Sequence, residues 1–205
     1  MNSIGKIKKH TNYMDSSDNI DKIGYLELVI GPMFSGKTSK LLELYKQFNY
    51  CNIPVLVINH EDDKRYHETN LSTHDKQMIP CISTKILKDL FTTDTLEKYN
   101  VILINEGQFF SDIKETVVEL VDTHKKQVYI CGLDGDFKRK KFGNLIDLIP
   151  YCNKVTKLTS LCALCKNGTL GVFTHRLTNH TEQIIIGSDS YIPVCRGCYL
   201  EKCQN

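Results

Sequence analysis

The sequence lacks three features that would place a protein in a broad class at once. No apolar run approaches the roughly 18 residues that a membrane-spanning helix needs, and the polar, lysine-rich beginning of the chain contains no apolar segment of a secretory signal. The 26 basic and 24 acidic residues leave a formal net charge of only +2, which gives no support to a surface for nucleic acid. We therefore expect a protein without membrane or nucleic-acid partners.

Cysteine, by contrast, is plentiful, with nine in 205 residues. In a chain without an export signal, clustered cysteines are more typical of metal ligands than of disulfides. We expect a cytoplasmic protein that is long enough to form a core without disulfide support. Cys51, Cys81 and Cys131 lie within or beside apolar runs and are predicted to be core residues.

The pattern of apolar residues predicts a largely parallel α/β sheet followed by a small second domain. Residues 1–22 are polar and lack apolar periodicity, which predicts a disordered leader. Residues 23–150 alternate short apolar runs with amphipathic segments, as strands and helices do in parallel sheets. Residues 151–205 break into short pieces with paired cysteines. The predicted strands are 25–30, 55–58, 101–104 and 127–131, and helices are predicted after Thr38 and around Ile113.

A phosphate-binding loop follows the first predicted strand. Gly31 and Gly36 permit backbone angles and a close approach that a Cβ would block. Successive N–H groups and the positive end of the next helix then face a phosphate. Lys37 supplies charge for the β- and γ-phosphates, and the Thr38 hydroxyl is a ligand for Mg²⁺. The motif predicts nucleotide binding, and its residues are Gly31, Pro32, Met33, Phe34, Ser35, Gly36, Lys37 and Thr38.

The predicted strand 101–104 runs into Asn105 and Glu106. Parallel strands end at one edge of the sheet, where open α/β sheets bind their ligands. Glu106 is the only carboxylate at this strand end, in position to accept a proton from an attacking hydroxyl. The alternative is that Glu106 only caps the following helix, whose positive end also favours a carboxylate. Phosphate-loop enzymes are expected to have aspartate where this chain has Asn105.

Four cysteines form two Cys-x-x-Cys pairs, which are Cys162 with Cys165 and Cys195 with Cys198. Two residues between thiolates allow both sulfurs to bind one tetrahedral Zn²⁺, and two such pairs complete a closed structural site. A redox pair is the weaker alternative, because neither pair opens a recognisable helix after a strand. We predict a structural zinc site.

Taken together, the phosphate loop, the residues Asn105–Phe110 and the paired cysteines resemble the cytosolic, type II thymidine kinase family. The resemblance covers about residues 24–203. It implies a P-loop, RecA-like parallel sheet domain with a small C-terminal zinc ribbon that carries a lasso loop over the nucleoside, and a homotetramer. Further segments that carry it are Asp63–Tyr66, Thr73–Asp75, Leu133–Phe137, Arg139, Phe142, Gly143 and Tyr191.

The resemblance implies ATP-dependent transfer of the γ-phosphoryl group to the 5′-hydroxyl of thymidine, with Glu106 as proton acceptor; acceptance of deoxyuridine stays open. Contacts with ATP and its Mg²⁺ are implied for the phosphate loop and for Asp63, Arg65, Asn105 and Gln108. Contacts with thymidine are implied for Met33, Phe109, Leu133, Phe137, Arg176, Glu182, Gln183, Ile184, Ile185, Ile186 and Tyr191. The four paired cysteines are implied to bind Zn²⁺.

The sequence departs from this family at two points. Asn105 stands where the family has aspartate, which predicts an active enzyme whose weaker Mg²⁺ requirement is met through Thr38 and the phosphates. The sequence also ends soon after Cys198, so the regulated degradation that vertebrate relatives achieve through a longer tail is expected to be absent.

Two competing functions use the same motifs. A nucleic-acid-stimulated ATPase also combines a phosphate loop with a zinc ribbon, but it should have a basic stripe on the ribbon. Between Cys162 and Cys198 the basic residues are only Lys166, Arg176 and Arg196, with two histidines. A non-catalytic nucleotide-binding module is compatible with Asn105 but not with an intact Lys37, Thr38 and Glu106.

Overall fold

A six-stranded parallel sheet forms the centre of the computed structural model, which describes residues 23–63, 70–72, 78–183 and 190–202. In chain order the strands are β1 (Tyr25–Ile30), β2 (Val55–His60), β3 (Asn70–Ser72), β4 (Met78–Pro80), β5 (Ile82–Thr84), β6 (Val101–Ile104), β7 (Gln127–Gly132), β8 (Lys154–Lys157), β9 (Ser160–Leu161), β10 (Leu170–Gly171), β11 (Phe173–Arg176) and β12 (Tyr191–Val194). The central sheet has the order β5-β2-β6-β7-β1-β8, and each neighbouring pair is parallel. The predicted parallel α/β architecture is confirmed.

Helices connect these strands and cover the sheet. The α-helices are α1 (Lys37–Tyr50), α2 (Thr93–Lys98), α3 (Ile113–Val118) and α4 (Arg196–Lys202). A π-helical turn, Glu119–Thr123, continues α3, and 3₁₀ turns lie at Lys88–Leu90, Gly107–Phe109 and Leu145–Tyr151. None of the helices in the described part of the chain has the length and apolar character that crossing a membrane requires.

The alternation of side chains along β1 divides the core into two layers. Leu26, Leu28 and Ile30 point to the face covered by α3 and the turn Leu145–Tyr151, while Val29 points to the face covered by α1. Both faces of the sheet are therefore buried, which explains why the strands appear in the sequence as continuous apolar runs rather than alternating ones.

The end of α1 shows where the prediction for one cysteine was wrong. Cys131 is buried in β7 and Cys81 is half-buried against the core, but Cys51 is exposed. Cys51 stands at the C-cap of α1, and Asn52 then takes a left-handed conformation with φ of 56°. This is a common way to end a helix, and it places Cys51 at the surface.

Two short antiparallel pairs follow the central sheet, β9 with β10 and β11 with β12. Cys162, Val194 and Tyr199 form a small apolar cluster of their own here. However, β8 pairs with β1 and belongs to the central sheet. The division of the chain into two domains stays a prediction, and a boundary compatible with the sheet falls after Lys157 rather than after residue 150.

The two layers of the core make the free energy of unfolding sensitive to β1. Leu26 is fully buried, whereas Leu170 in β10 is 55% exposed. We expect Leu26→Ala to lower the free energy of unfolding by about 2–5 kcal/mol, since it removes buried methyl groups and leaves a cavity. Leu170→Ala, the matched control, should change it by no more than about 0.5 kcal/mol. Urea unfolding followed by circular dichroism measures both, and equal effects would contradict this division of the core.

Candidate active site

The predicted phosphate loop connects β1 to α1 at the carboxyl edge of the sheet. Lys37 is buried, and its Nζ donates to the carbonyl oxygen of Pro32 at 2.6 Å and to Ser35 Oγ at 3.5 Å. Ser35 Oγ donates to the same Pro32 oxygen at 2.8 Å. The loop therefore curls around its own lysine.

The two glycines of the loop are required by its shape. Gly31 has φ of 154°, and a Cβ there would lie 2.5 Å from the carbonyl oxygen of Leu158. Gly36 has φ of 83° in the left-handed region and precedes the first residue of α1. A side chain would clash at the first position and be strained at the second.

The loop is also tied to a strand that is far away in the sequence. The backbone N–H of Met33 donates to Thr174 Oγ1 in β11 at 3.0 Å, and Thr174 is buried. This bond joins the phosphate loop to the segment that carries Arg176. Thr174 was not predicted, and no sequence motif marks it.

Glu106 lies at the end of β6, where it was predicted, and is only 8% exposed. Its backbone is left-handed, with φ of 53° and ψ of 42°, a conformation that is unusual for a residue other than glycine. It stands at the N-cap of the 3₁₀ turn Gly107–Phe109, but its side chain makes no capping hydrogen bond. Instead, Gln108 Nε2 donates to Glu106 Oε2 at 2.6 Å. The contacts therefore do not support the capping alternative.

Asn105 points toward the neighbouring strand. Its Nδ2 donates to Asn59 Oδ1 in β2 at 2.9 Å, and both side chains are buried. Asn59 was missed by the sequence analysis, although its position at the carboxyl end of an apolar run is the signal that identified Asn105. Two neutral amides thus occupy the part of the edge next to Glu106.

An aromatic cluster adjoins this edge. The ring centroids of Phe109 and Phe142 are 5.5 Å apart in an edge-to-face arrangement, and those of Phe109 and His60 are also 5.5 Å apart. Burial lowers the pKa of His60, so the neutral imidazole is favoured. Leu133 is joined to the same region, because its backbone N–H donates to Gln108 Oε1 at 3.0 Å.

Arg176 organises a second group of predicted residues. It is 3% exposed, and its Nη atoms donate to the carbonyl oxygens of His180, Glu182 and Gln183 and, at 2.5 Å, to the hydroxyl of Tyr191. Its guanidinium lies 3.7 Å from the ring centroid of Phe137. These contacts bring five predicted thymidine-site residues together, while direct contact of Arg176 with a substrate stays a prediction.

Residues 136–140, which we call the Asp136 turn, hold Phe137 in place. Asp136 Oδ1 accepts from the backbone N–H groups of Lys138 and Lys140, at 2.9 and 2.8 Å. Its Oδ2 accepts from Gln183 Nε2 at 2.8 Å. Asp136 was named in the resemblance but not as a site residue, yet it connects the turn to the group around Arg176.

The four paired cysteines converge. Their sulfurs all lie within 4.8 Å of one another, and Cys165 Sγ is 3.7 Å from Cys195 Sγ and 3.4 Å from Cys198 Sγ. A disulfide would need about 2.05 Å. Tetrahedral Zn²⁺ with Zn–S distances near 2.3 Å requires sulfurs about 3.8 Å apart. The cluster therefore has the ligand set and spacing of a structural zinc site.

The pKa values of the thiols in this cluster also favour the binding of a cation. Burial raises the pKa of Cys162, but donation from backbone N–H groups outweighs it and lowers the pKa to about 6. The pKa of Cys198 is raised to about 12, first by its hydrogen bond with Cys165. Neighbouring sulfurs cannot all ionise unless a positive charge lies between them.

The second pair differs from the sequence expectation in one respect. Cys195 follows β12 and is followed at once by α4, so this pair does open a helix after a strand. The argument used against a redox pair was wrong here. The convergence of all four sulfurs replaces it, because a redox pair needs only two.

One side chain joins the cysteine cluster to the Asp136 turn. The hydroxyl of Tyr199, the residue after Cys198, donates to the carbonyl oxygen of Phe137 at 2.8 Å. The guanidinium of Arg139 lies 4.4 Å from the ring centroid of Tyr199. Tyr199 was not predicted; its position beside the last paired cysteine was the available signal.

Some predictions lie outside the described residues. These are the leader at residues 1–22, Arg65, Ile184, Ile185 and Ile186. Asp63 is described and half-buried, shortly after β2 ends, but its contact with a nucleotide stays a prediction.

Comparison with known proteins gives a consistent result. A family model described as thymidine kinase matches residues 24–199. Thymidine kinase 1 of Dictyostelium discoideum is 40% identical over 181 residues, which cover 86% of this chain and 78% of that protein. The thymidine kinase of Oryza sativa subsp. japonica is 39% identical, over 87% of this chain and 67% of its own length. The thymidine kinase of vaccinia virus (strain Western Reserve) is 38% identical, over 87% and 98%.

Proposed function

The chain belongs to the thymidine kinase family, and we propose that it transfers the γ-phosphoryl group of ATP to the 5′-hydroxyl of thymidine with Glu106 as proton acceptor. One observation carries this assignment. A buried lysine in a phosphate loop and a buried carboxylate leave the same edge of one parallel sheet. Phosphoryl transfer needs little beyond positioning and charge, and this edge supplies a cation for the phosphates and a base for the hydroxyl.

The phosphate loop accounts for the binding of ATP. Residues 31–38 present backbone N–H groups and the N-terminus of α1, whose partial positive charge favours an anion. Lys37 Nζ contacts the Pro32 carbonyl and can exchange this neutral acceptor for phosphate oxygens, which are stronger partners for an ammonium group. Asp63, Arg65 and Asn105 complete the proposed nucleotide site.

Glu106 accounts for activation of the acceptor. A carboxylate oxygen takes the proton of the 5′-hydroxyl as the oxygen forms its bond to the γ-phosphorus. The bond between the γ-phosphorus and the β–γ bridging oxygen breaks, and ADP leaves with that electron pair. Burial of Glu106 excludes water that would otherwise compete with the hydroxyl.

The aromatic residues account for recognition of a pyrimidine. Phe109 and Phe137 provide flat apolar walls, which suit the face of a base. The backbone of Leu133 is bound to Gln108, the residue before Phe109. That of Met33 is bound to Thr174 in β11, and Tyr191 is held by Arg176. We propose that backbone groups of residues 182–186 bind the polar edge of thymine, since such groups on a braced loop are suited to fixing orientation.

The oxygen donors of Thr38 and Asn105 suit a magnesium ion, although neither is a carboxylate. Thr38 contributes a hydroxyl oxygen and Asn105 an amide, and oxygen is the ligand type that Mg²⁺ prefers. When bound with ATP, Mg²⁺ neutralises phosphate charge. Asn105, already paired with Asn59, would contribute without a formal charge.

We propose that Zn²⁺ bound by the four cysteines has a structural role. The sulfur spacing fits the ion, and Tyr199 connects the cluster to the backbone of Phe137. Zinc thus acts on the nucleoside site indirectly, by fixing one of its walls. The two-domain division, a homotetramer and a cytoplasmic location are proposed on the family resemblance.

The role of Glu106 is tested by its isosteric amide. We expect Glu106→Gln to lower thymidine monophosphate formation by roughly a hundredfold or more, because an amide cannot accept the proton. Its affinity for ATP should stay within about threefold, since Lys37 and the loop are unchanged. Radiolabelled product formation and calorimetry measure the two quantities. Exposed Glu115→Gln is the matched control.

The same assay, run with and without DNA, separates the competing functions. Product formation that is independent of DNA supports the kinase. ATP hydrolysis stimulated by DNA would instead support the nucleic-acid-dependent ATPase, and the absence of both reactions would support a non-catalytic module. Turnover of Glu106→Gln near the wild-type rate would contradict the assignment of the base.

The zinc proposal is tested by removing one ligand. We expect Cys198→Ser to lower bound zinc well below about one ion per chain and to raise the KM for thymidine by roughly tenfold, since a wall displaced by a small distance loses its contacts. Exposed Cys51→Ser is the control. Elemental analysis and steady-state kinetics measure both quantities; an unchanged KM after zinc loss would contradict the structural link.

The effect of Asn105 is tested by restoring the aspartate. A carboxylate about 4 Å from Mg²⁺ gains about 2 kcal/mol even at the dielectric constant of water, because the ion carries two charges, and this corresponds to roughly thirtyfold in affinity. We therefore expect Asn105→Asp to lower the Mg²⁺ concentration for half-maximal turnover by about that factor. A titration of turnover with Mg²⁺ measures it, with exposed Asn49→Asp as control. Unchanged Mg²⁺ dependence and turnover would contradict the proposal.

A further inference from the structure

Gln108 is held in one orientation by the protein around it. Its side chain is 3% exposed, and its Oε1 accepts from the backbone N–H of Leu133 at 3.0 Å. A backbone N–H can only donate, so the amide cannot be turned around without losing this bond. Its NH₂ group must therefore face Glu106, whose Oε2 it reaches at 2.6 Å.

Two glycines beside Gln108 lack the side chains that would clash with it. A Cβ at Gly132, the last residue of β7, would lie 2.6 Å from Gln108 Oε1. A Cβ at Gly143, which has φ of 60°, would lie 2.0 Å from the carbonyl oxygen of Gln108. Since both neighbours lack side chains here, backbone and amide approach closely, and Gln108 has little freedom to move.

The NH₂ group of Gln108 selects the charge state of Glu106. It is a donor only, so it pairs favourably with an unprotonated oxygen and not with a protonated Oε2. The bond is buried, where a hydrogen bond to an ionised group is stronger than in water. With Oε2 engaged, the proton from the acceptor hydroxyl goes to Oε1.

We propose that Gln108 is a positioning residue that keeps the Glu106 carboxylate ionised and directs its Oε1 to the acceptor hydroxyl. The inference rests on the proposed function, in which Glu106 is the proton acceptor. It gives Gln108 a different role from the ATP contact that the family resemblance implies, since its amide is already bound at both ends.

Other titratable groups lie around Glu106 and must be considered in the dependence of turnover on pH. On β7, the Cys131 thiol interacts electrostatically with both Glu106 and Lys37, the lysine at the start of α1, but burial raises its pKa and keeps it neutral. At the end of β2, His60 packs on Phe109 and Phe110, with a pKa that burial lowers.

Two variants separate the effect of the hydrogen-bond donor of Gln108 from the effect of its side-chain shape. Gln108→Glu keeps an oxygen for the Leu133 N–H but replaces the donor with a second carboxylate beside Glu106. We expect the acid limb of the profile of kcat against pH to move up by about one pH unit or more, because two adjacent carboxylates share a proton. At a fixed pH on the acid limb, turnover should fall roughly tenfold and return toward the unmodified rate as the pH rises, with the KM for thymidine nearly unchanged.

Gln108→Met keeps the length of the side chain and removes both polar groups. Turnover should fall roughly tenfold or more, and the acid limb should shift by less than in Gln108→Glu. The matched control is Gln47→Glu on the surface of α1, where Gln47 Nε2 donates to Glu43 Oε1 at 3.3 Å in the same chemical pairing. This variant should leave the profile and turnover as in the unmodified protein.

These experiments distinguish a failure of the inference on Gln108 from a failure of the proposed function. If Glu106→Gln keeps its turnover, the base assignment fails. If that variant is inactive but the acid limb of Gln108→Glu does not move, only the inference on Gln108 fails, whether turnover falls or not. Thermal unfolding of each variant identifies a loss of rate that comes from misfolding, since such a loss lowers the active fraction at every pH without moving the limb.

Discussion

The parallel register of β1, β6 and β7 determines where the reacting groups lie. Ile30 stands beside Gly132, and Ile104 beside Ile130, so the phosphate loop and Glu106 leave the sheet at one edge. Parallel strands need long crossover connections, and here these place α1 and α3 on opposite faces. The backbone pairing and the two apolar layers therefore fix where Lys37 and Glu106 leave the sheet.

The Asp136 turn extends this arrangement beyond the sheet. It is bound to Gln183 through the carboxylate of Asp136, to Arg176 through the ring of Phe137, and to the cysteine cluster through the hydroxyl of Tyr199. A short turn with three such attachments cannot shift without losing two partly buried hydrogen bonds and a cation–π contact. The cluster of four cysteines is thus linked physically to the position of one aromatic ring.

The sequence predicted whatever depends on local pattern. Continuous apolar runs identified the strands, because strand periodicity is a local property. The helix predicted after Thr38 is α1, which begins one residue earlier, at Lys37. The sequence did not predict Thr174 or Asn59, whose partners Met33 and Asn105 lie 141 and 46 residues away. Pairing over such distances follows from the register of the folded sheet. Cys51 was placed in the core because an apolar run nearby does not reveal where a helix ends.

The neutral side chains around Glu106 are as informative as the acid itself. Asn105 and Gln108 both flank it, and each amide is used as a donor, to Asn59 and to Glu106 respectively. A carboxylate at position 108 would oppose the ionisation of Glu106, since like charges within a few ångströms in a buried site repel strongly. The amide of Gln108 instead donates to that carboxylate and favours its charged form. In the proposed reaction, this uncharged neighbour is part of what allows a carboxylate to act as a base beside a triphosphate.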